Sequence, residues 1–163
     1  MGGFINLALL VWMMHRRMNA KERKHLIAWM TERYGPPLGE WSDLFFQNPK
    51  GRVFLLTPVF SRLPTQDLRV NALGLYLGRL DAGGIRLSIE GAQMVGSWAV
   101  KNVVELSADE TRQWMNGEDL ENKDGLEGPV LVRHGKDFYG SGRASGERLL
   151  NFVPKERRIK RQL

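Results

Sequence analysis

The spacing of apolar positions changes several times along this chain, and each change marks an element. Leu26, Ile27 and Met30 recur at helical spacing on one face. Ahead of them Asn19 is an N-cap, and Glu22, three places on, completes a capping box. Gly35 stands where a helix ends, and Pro36 and Pro37 stop its continuation. The stretch from Met18 to Pro37 therefore predicts one helix with both ends marked.

Beyond it the period shortens. Gly51 to Thr57, "GRVFLLT", is a β-rich run introduced by the turn "NPKG". "LPTQDLRVN" has room for a short helix. "ALGLYLGRLD" and "GIRLSIEGAQMV" read as two further strands joined by "DAGG", a hairpin turning on Gly83 and Gly84. Gly74 and Gly78 inside the strand pattern point to a bulge or a close backbone approach.

After Gly96 the texture changes. "SWAVKNVVELS" predicts a strand. A short helix follows, capped by Ser107, closed by Glu110 and ended by Gly117. "NKDGLEG" is a loop. Gly128 to Pro154 then predicts two or three short strands with glycine turns at Gly135, Gly140, Gly142 and Gly146. About 65 residues, mostly β with one small helix, suit a compact barrel. The expected boundary lies near Gly96, with an α/β unit over 18–95 and a β-barrel unit over 96–163.

The apolar run Phe4 to Met14 is too short to span a membrane, which takes roughly 20 residues. Its cations, His15 aside, are Arg16 and Arg17, after the run; a secretory signal places them before it. A docking segment, a weak anchor and an upstream extension all fit. We favour the extension over 1–17, with the functional protein starting near Met18 and no membrane partner.

Composition narrows the class. The chain has 163 residues, 42% hydrophobic and 26% charged, and no cysteine. That composition is globular and excludes disulfides, thiolate zinc sites and a Cys nucleophile. The net charge is +6 and the isoelectric point near 9.9, a balance common in proteins that meet nucleic acid. Cations cluster late: Arg143, Arg148, Lys155, Arg157, Arg158, Lys160 and Arg161, against Glu147 and Glu156. The stretch Glu105 to Glu127 is acidic instead.

The loop "GSGRASG" fails as a dinucleotide fingerprint. Gly140 and Gly142 fit, but Ser145 takes the third place and Pro154 prevents a long helix behind it. His15, His25 and His134 are not at metal-ligand spacing. Carboxylate pairs such as Asp109–Glu110 suit helix capping better than acid–base work. No catalytic residue, cofactor or metal is expected, and the chain is read as a non-enzyme. RNA contact is the better fit. Arg143, Arg148, Lys155, Arg157 and Arg158 can pair with phosphates. Tyr139 lies among them as a ring able to stack on a base, while Phe138 and Phe152 are read as core.

The segment "GPVLVRHGKDFYGSGRASGERLLNFVPKERR" resembles the end of a PUA domain. It is similar to the C-terminal PUA-like domain of Sun-family RNA cytosine-5 methyltransferases, through Gly140-Ser-Gly142, Leu149 to Asn151, Pro154-Lys155 and Arg157-Arg158. Upstream, the capped helix and "ALGLYLGRLDAGGIRLSIEGAQMV" resemble the pre-PUA domain of a two-domain ribosome-biogenesis family. The resemblance implies an α+β fold, an N-terminal α/β pre-PUA domain followed by a PUA-like β-barrel. It implies a cytoplasmic protein that binds rRNA or tRNA in ribosome biogenesis or RNA modification, alongside a ribosome-assembly or modification protein. The implied RNA contacts are Arg133, Lys136, Tyr139, Gly140, Gly142, Arg143, Arg148, Lys155, Arg157 and Arg158. An adaptor that touches only protein, or an accessory subunit of a separate methyltransferase, is the alternative.

Overall fold

A computed structural model describes residues 14–56 and 74–159. Two five-stranded sheets and three helices make up the described chain.

The first sheet is an antiparallel meander in the order β1 (Arg16–Arg17), β2 (Leu44–Gln47), β3 (Arg52–Leu56), β4 (Leu75–Asp81), β5 (Gly84–Leu87). Helix α1 (Ala20–Tyr34) covers its inner face. The capping box forms as the residue spacing predicts: the Glu22 N–H donates to Asn19 Oδ1 at 2.9 Å, and the Asn19 N–H to Glu22 Oε2 at 2.9 Å. Leu26, Met30 and Tyr34 are the buried face, and the Gly35 N–H closes the end on Thr31 O. Both hairpins follow their turn residues. Asn48 Oδ1 accepts the N–H groups of Lys50 and Arg52, and Asp81 Oδ1 accepts that of Gly83.

Gly78 is the close approach expected. A Cβ there would collide with the Arg86 carbonyl, and the β3–β4 register shifts between Val53 and Phe54 beside it. That bulge keeps Leu77 inward while Tyr76 and Arg79 turn outward.

The run "GIRLSIEGAQMV" departs from the strand prediction. It is β5 as far as Leu87, then helix α2 (Ile89–Gly96). Ser88 Oγ accepts the Gly91 N–H at 2.9 Å and caps the helix. Apolar residues at 85, 87 and 89 continue the alternation across the break, so the cap alone marks the change. The strand expected over 97–107 also shrinks, to β6 (Val103–Glu105).

The second sheet has the order β6, β8 (Gly128–His134), β9 (Asp137–Ser145), β10 (Arg148–Asn151), β7 (Leu120–Glu121). β6 pairs with β8 in parallel, and the other pairs are antiparallel. The connection from β6 holds α3 (Ala108–Met115), whose Ser107–Glu110 capping box also forms, at 3.1 and 2.8 Å. The edges β6 and β7 do not pair, so the expected barrel is a curled, half-open sheet. Gly135 and Gly146 lie at turns, but Gly140 and Gly142 lie within β9. Gly142 is there because Trp114 packs on it: a Cβ would sit 2.6 Å from the indole. The segment Leu63–Asn71, read as a possible short helix, lies outside the described residues.

One core lies between α1, the first sheet and α2, and it includes Leu131 and Phe138 from the second sheet. The other surrounds Trp114, with Val130, Ala144 and Leu149. Hydrogen bonds stitch the seam. Arg33 Nε donates to Pro129 O at 2.6 Å, Asn102 Nδ2 to Arg33 O at 2.6 Å, and Ser141 Oγ to Leu87 O at 2.7 Å.

Candidate nucleic-acid interface

β9 is the spine on which the expected contacts are arranged. Its sequence, Asp137 to Ser145, places Phe138 in the first core and Ala144 in the second. Gly140 sits at φ +102° where the β8–β9 register shifts, and both it and Gly142 are buried. Tyr139 is half-buried against the second core, and its carbonyl accepts the Trp114 indole N–H at 3.0 Å. Phe138 is core, as read. Phe152 is half-buried and carries the Arg86 guanidinium 3.8 Å from its ring centre.

The cations fall into three groups. Arg133 and Lys136 lie at the β8–β9 turn. Arg133 is bound to Glu105 at 2.7 Å, and Lys136 is exposed. Arg143 lies near the far end of β9, facing the β4–β5 turn at Gly83. Arg33 from α1 is its neighbour; burial, and then the Arg143 charge, pull the Arg33 guanidinium below its ordinary pKa. Arg33 also donates to Glu127 O. Arg148 belongs to β10, Lys155 and Arg157 to the 3-10 turn Lys155–Arg157 after it, and Arg158 caps that turn. Seven residue steps separate Lys136 from Arg143, roughly 23 Å of strand, so the expected residues do not converge on one point.

Most of these cations are already engaged. Arg148 pairs with Asp119, and Arg157 with Glu90 at 2.6 Å. Arg158 donates to Val153 O at 3.1 Å and covers Gly117. Asn151, part of the recognised motif, is structural: its Nδ2 donates to Trp114 O at 2.8 Å and Glu118 O at 2.9 Å. Among the described residues Lys136, Arg143 and Lys155 have no ion-pair partner. Two neighbouring carboxylates are held below the usual range. Arg133 and then the Gly135 N–H lower Glu105, and Lys123 and then the Ser107 N–H lower Glu110.

Sequence reasoning missed a second set of cations. Arg52, Arg79 and Arg86 stand directly opposite one another on β3, β4 and β5. All three are exposed. Strand register alone brings them together, and no spacing in the sequence announces it. Among the described residues there is no cluster of His, Asp and Glu placed to hold a metal ion. Nor is any described helix long and apolar enough to cross a membrane.

Residues 101–159, the whole second sheet with α3, match the family described as the methyltransferase RsmF PUA domain. The described C-terminal sheet is a PUA-like domain resembling that of Sun-family methyltransferases. A ribosomal RNA small subunit methyltransferase F of Aeromonas salmonicida (strain A449) is 30% identical over 141 residues, 84% of this chain and 28% of that protein. One from Aeromonas hydrophila is 32% identical over 129 residues, 74% of this chain and 27% of that protein. One from Vibrio cholerae (strain M66-2) is 29% identical over 92 residues, 55% of this chain and 19% of that protein. The chain thus spans between 19% and 28% of the length of these relatives. The mixed helix-and-sheet architecture with a curled sheet fits the PUA-like assignment.

Proposed function

We propose that the chain is a non-catalytic RNA-binding unit of the cytoplasm, holding structured rRNA or tRNA in ribosome biogenesis or RNA modification. The observation that carries this reading is the coincidence of the PUA family match, 101–159, with the curled sheet and its cationic rims. In it, residues 18–95 act as a pre-PUA unit and 96–163 as the PUA-like unit, the two sharing a core. Lys136, Arg143 and Lys155 take phosphates directly. Arg133, Arg148 and Arg157 join when a phosphate replaces Glu105, Asp119 or Glu90, and Tyr139 offers the ring among them. Gly140 and Gly142 shape β9, and Arg158 holds the turn at Gly117. The methyltransferase activity named for the relatives belongs to those proteins, each several times longer than the shared segment. An accessory role beside a methyltransferase catalytic segment is the second reading, favoured by that short shared segment.

The test is a salt titration of binding to a structured ribosomal RNA fragment. About five phosphate contacts give a log–log slope of roughly −4. Replacing Lys155 and Arg157 by Ala, with Arg158 kept for the fold, makes the slope shallower by about 1 to 2. Wild-type affinity and slope in that variant would overturn the assignment of the contacts. A methylation assay with and without a separate catalytic chain checks the second reading, which stimulation supports.

A further inference from the structure

The outer face of the first sheet carries a row of like charges that folding alone does not explain. Arg52 is the register partner of Arg79, and Arg79 of Arg86, so three guanidinium groups lie side by side over roughly 10 Å. Like charges directly opposite one another destabilise a sheet. Among the described residues one carboxylate answers them, Asp81, at 3.7 Å from Arg86 with both side chains well exposed. Rings form the next cross-strand pair beside the row, Phe54 opposite Tyr76. Tyr76 lies 5.7 Å beneath the Arg52 guanidinium and 5.3 Å from Phe54. The His15 ring meets Phe54 edge-on at 5.0 Å. At the other end the Arg86 guanidinium lies over the Phe152 ring, 3.8 Å from its centre, and that chain leads into Lys155 and Arg157.

We propose that this face binds a single-stranded RNA segment, its phosphates along Arg52–Arg79–Arg86 and its bases against Tyr76 and Phe54. A positive row with half-buried rings beside it suits a strand whose bases are unstacked and open to aromatic contact. A duplex keeps its bases stacked and would leave the rings unused. The surface extends the RNA-binding reading above, yet its arginines and the rings of Tyr76 and Phe54 lie outside 101–159, with Phe152 beneath Arg86 its one contact inside that segment, so the two stand or fall separately.

The experiment uses the full chain and a fluorescein-labelled twelve-nucleotide oligouridine in an anisotropy titration. Arg52→Gln/Arg79→Gln/Arg86→Gln is expected to weaken binding by at least about tenfold and to flatten the salt slope by about 2, three contacts at roughly 0.7 each. Tyr76→Ala is expected to weaken it by about fivefold or more. Lys155→Ala/Arg157→Ala is expected to affect the structured fragment and leave the oligouridine nearly unchanged. Thermal melting checks folding. Arg79→Gln alone, whose side chain has no partner to lose among the described residues, is expected to flatten the slope by about 0.7. Wild-type affinity and slope in folded triple and single variants overturn the proposal. So does a polyglutamate peptide that binds as tightly as the oligouridine, is lost in the triple variant and ignores Tyr76→Ala; that result would make the face an acidic-protein site.

Discussion

The two sheets treat their cations in opposite ways. On the C-terminal sheet Arg133, Arg148 and Arg157 each hold a carboxylate from elsewhere in the chain. Their charge is spent on local order: Asp119 also accepts the Asn151 N–H, and Glu105 that of Gly135. On the N-terminal sheet Arg52, Arg79 and Arg86 face one another, with Asp81 alone in reach among the described residues. A count of basic residues would rank the C-terminus as the stronger anion surface. Pairing reverses that ranking, because a phosphate must displace a carboxylate at Arg133, Arg148 and Arg157 and only water at Arg52 and Arg79.

The largest blow to the comparison is to remove the C-terminal unit's centre. Trp114 is fully buried, packs on Gly142 and donates to Tyr139 O. Trp114→Ala should cost about 3–5 kcal/mol, read as a lowered urea midpoint. Leu131 and Phe138 sit in the N-terminal core, so the variant should still unfold in one transition. Two separated transitions would show that the arginine row can be studied apart from the PUA-like domain.

Next in size is Asp119→Ala. It removes the acceptor for the Asn151 N–H and the partner of Arg148, costing about 1 kcal/mol. The same change frees Arg148. Affinity for the structured RNA fragment should therefore rise while stability falls. A fall in both would mean that Asp119 matters by placing β10, and that its pairing with Arg148 does not limit binding.

Much of this arrangement is legible in the residues. Both capping boxes, the hairpin at Gly83–Gly84, the turn before Gly51 and the PUA-like segment follow from local chemistry, because each signal lies within a few residues of what it specifies. Most of the readings that fail need partners distant in sequence; helix α2, marked only by its own cap at Ser88, is the local exception. Helix α2 was masked by alternation that continued through Ser88. Gly142 looks like a turn until Trp114, some 28 residues upstream, is seen against the strand, and Gly140 until Ile89 is. The charge density at the C-terminus was visible, but its neutralisation by Glu90, Glu105 and Asp119 was not, since each bridge spans 28 residues or more. The arginine row depends on register across three strands and on a bulge that turns Tyr76 and Arg79 to the same side.

Acid should sharpen the contrast modestly. Glu105 and Glu110 titrate below their unfolded value of about 4.3. Folded carboxylates then bind fewer protons than unfolded ones. The stability they contribute is present above about pH 4.3 and is lost as pH falls through the lowered folded values. The urea midpoint should decline in that window, and Glu105→Gln/Glu110→Gln should flatten the decline. Glu105 is well exposed and Glu110, 21% exposed, is bridged to an exposed Lys123, so the effect is small. Glu22, lowered by Arg16 and then by the Asn19 N–H, adds an N-terminal share that the double variant leaves in place.

The smallest expected effect is the most telling, because its sign separates the two kinds of surface. Arg79 lies between Arg52 and Arg86, and replacing it removes two cross-strand repulsions. Arg79→Gln should raise stability by a few tenths of a kcal/mol, seen as a slightly higher urea midpoint at low salt that converges with wild type as salt screens the row. Arg133→Gln should do the reverse, since it breaks the bond to Glu105. A residue that weakens the fold and flattens the salt dependence of RNA binding is kept for what it contacts outside the chain. If Arg79→Gln instead lowers the midpoint, the row is held by interactions within the protein. The N-terminal face would then be compensated like the C-terminal one, and the difference between the two sheets would vanish.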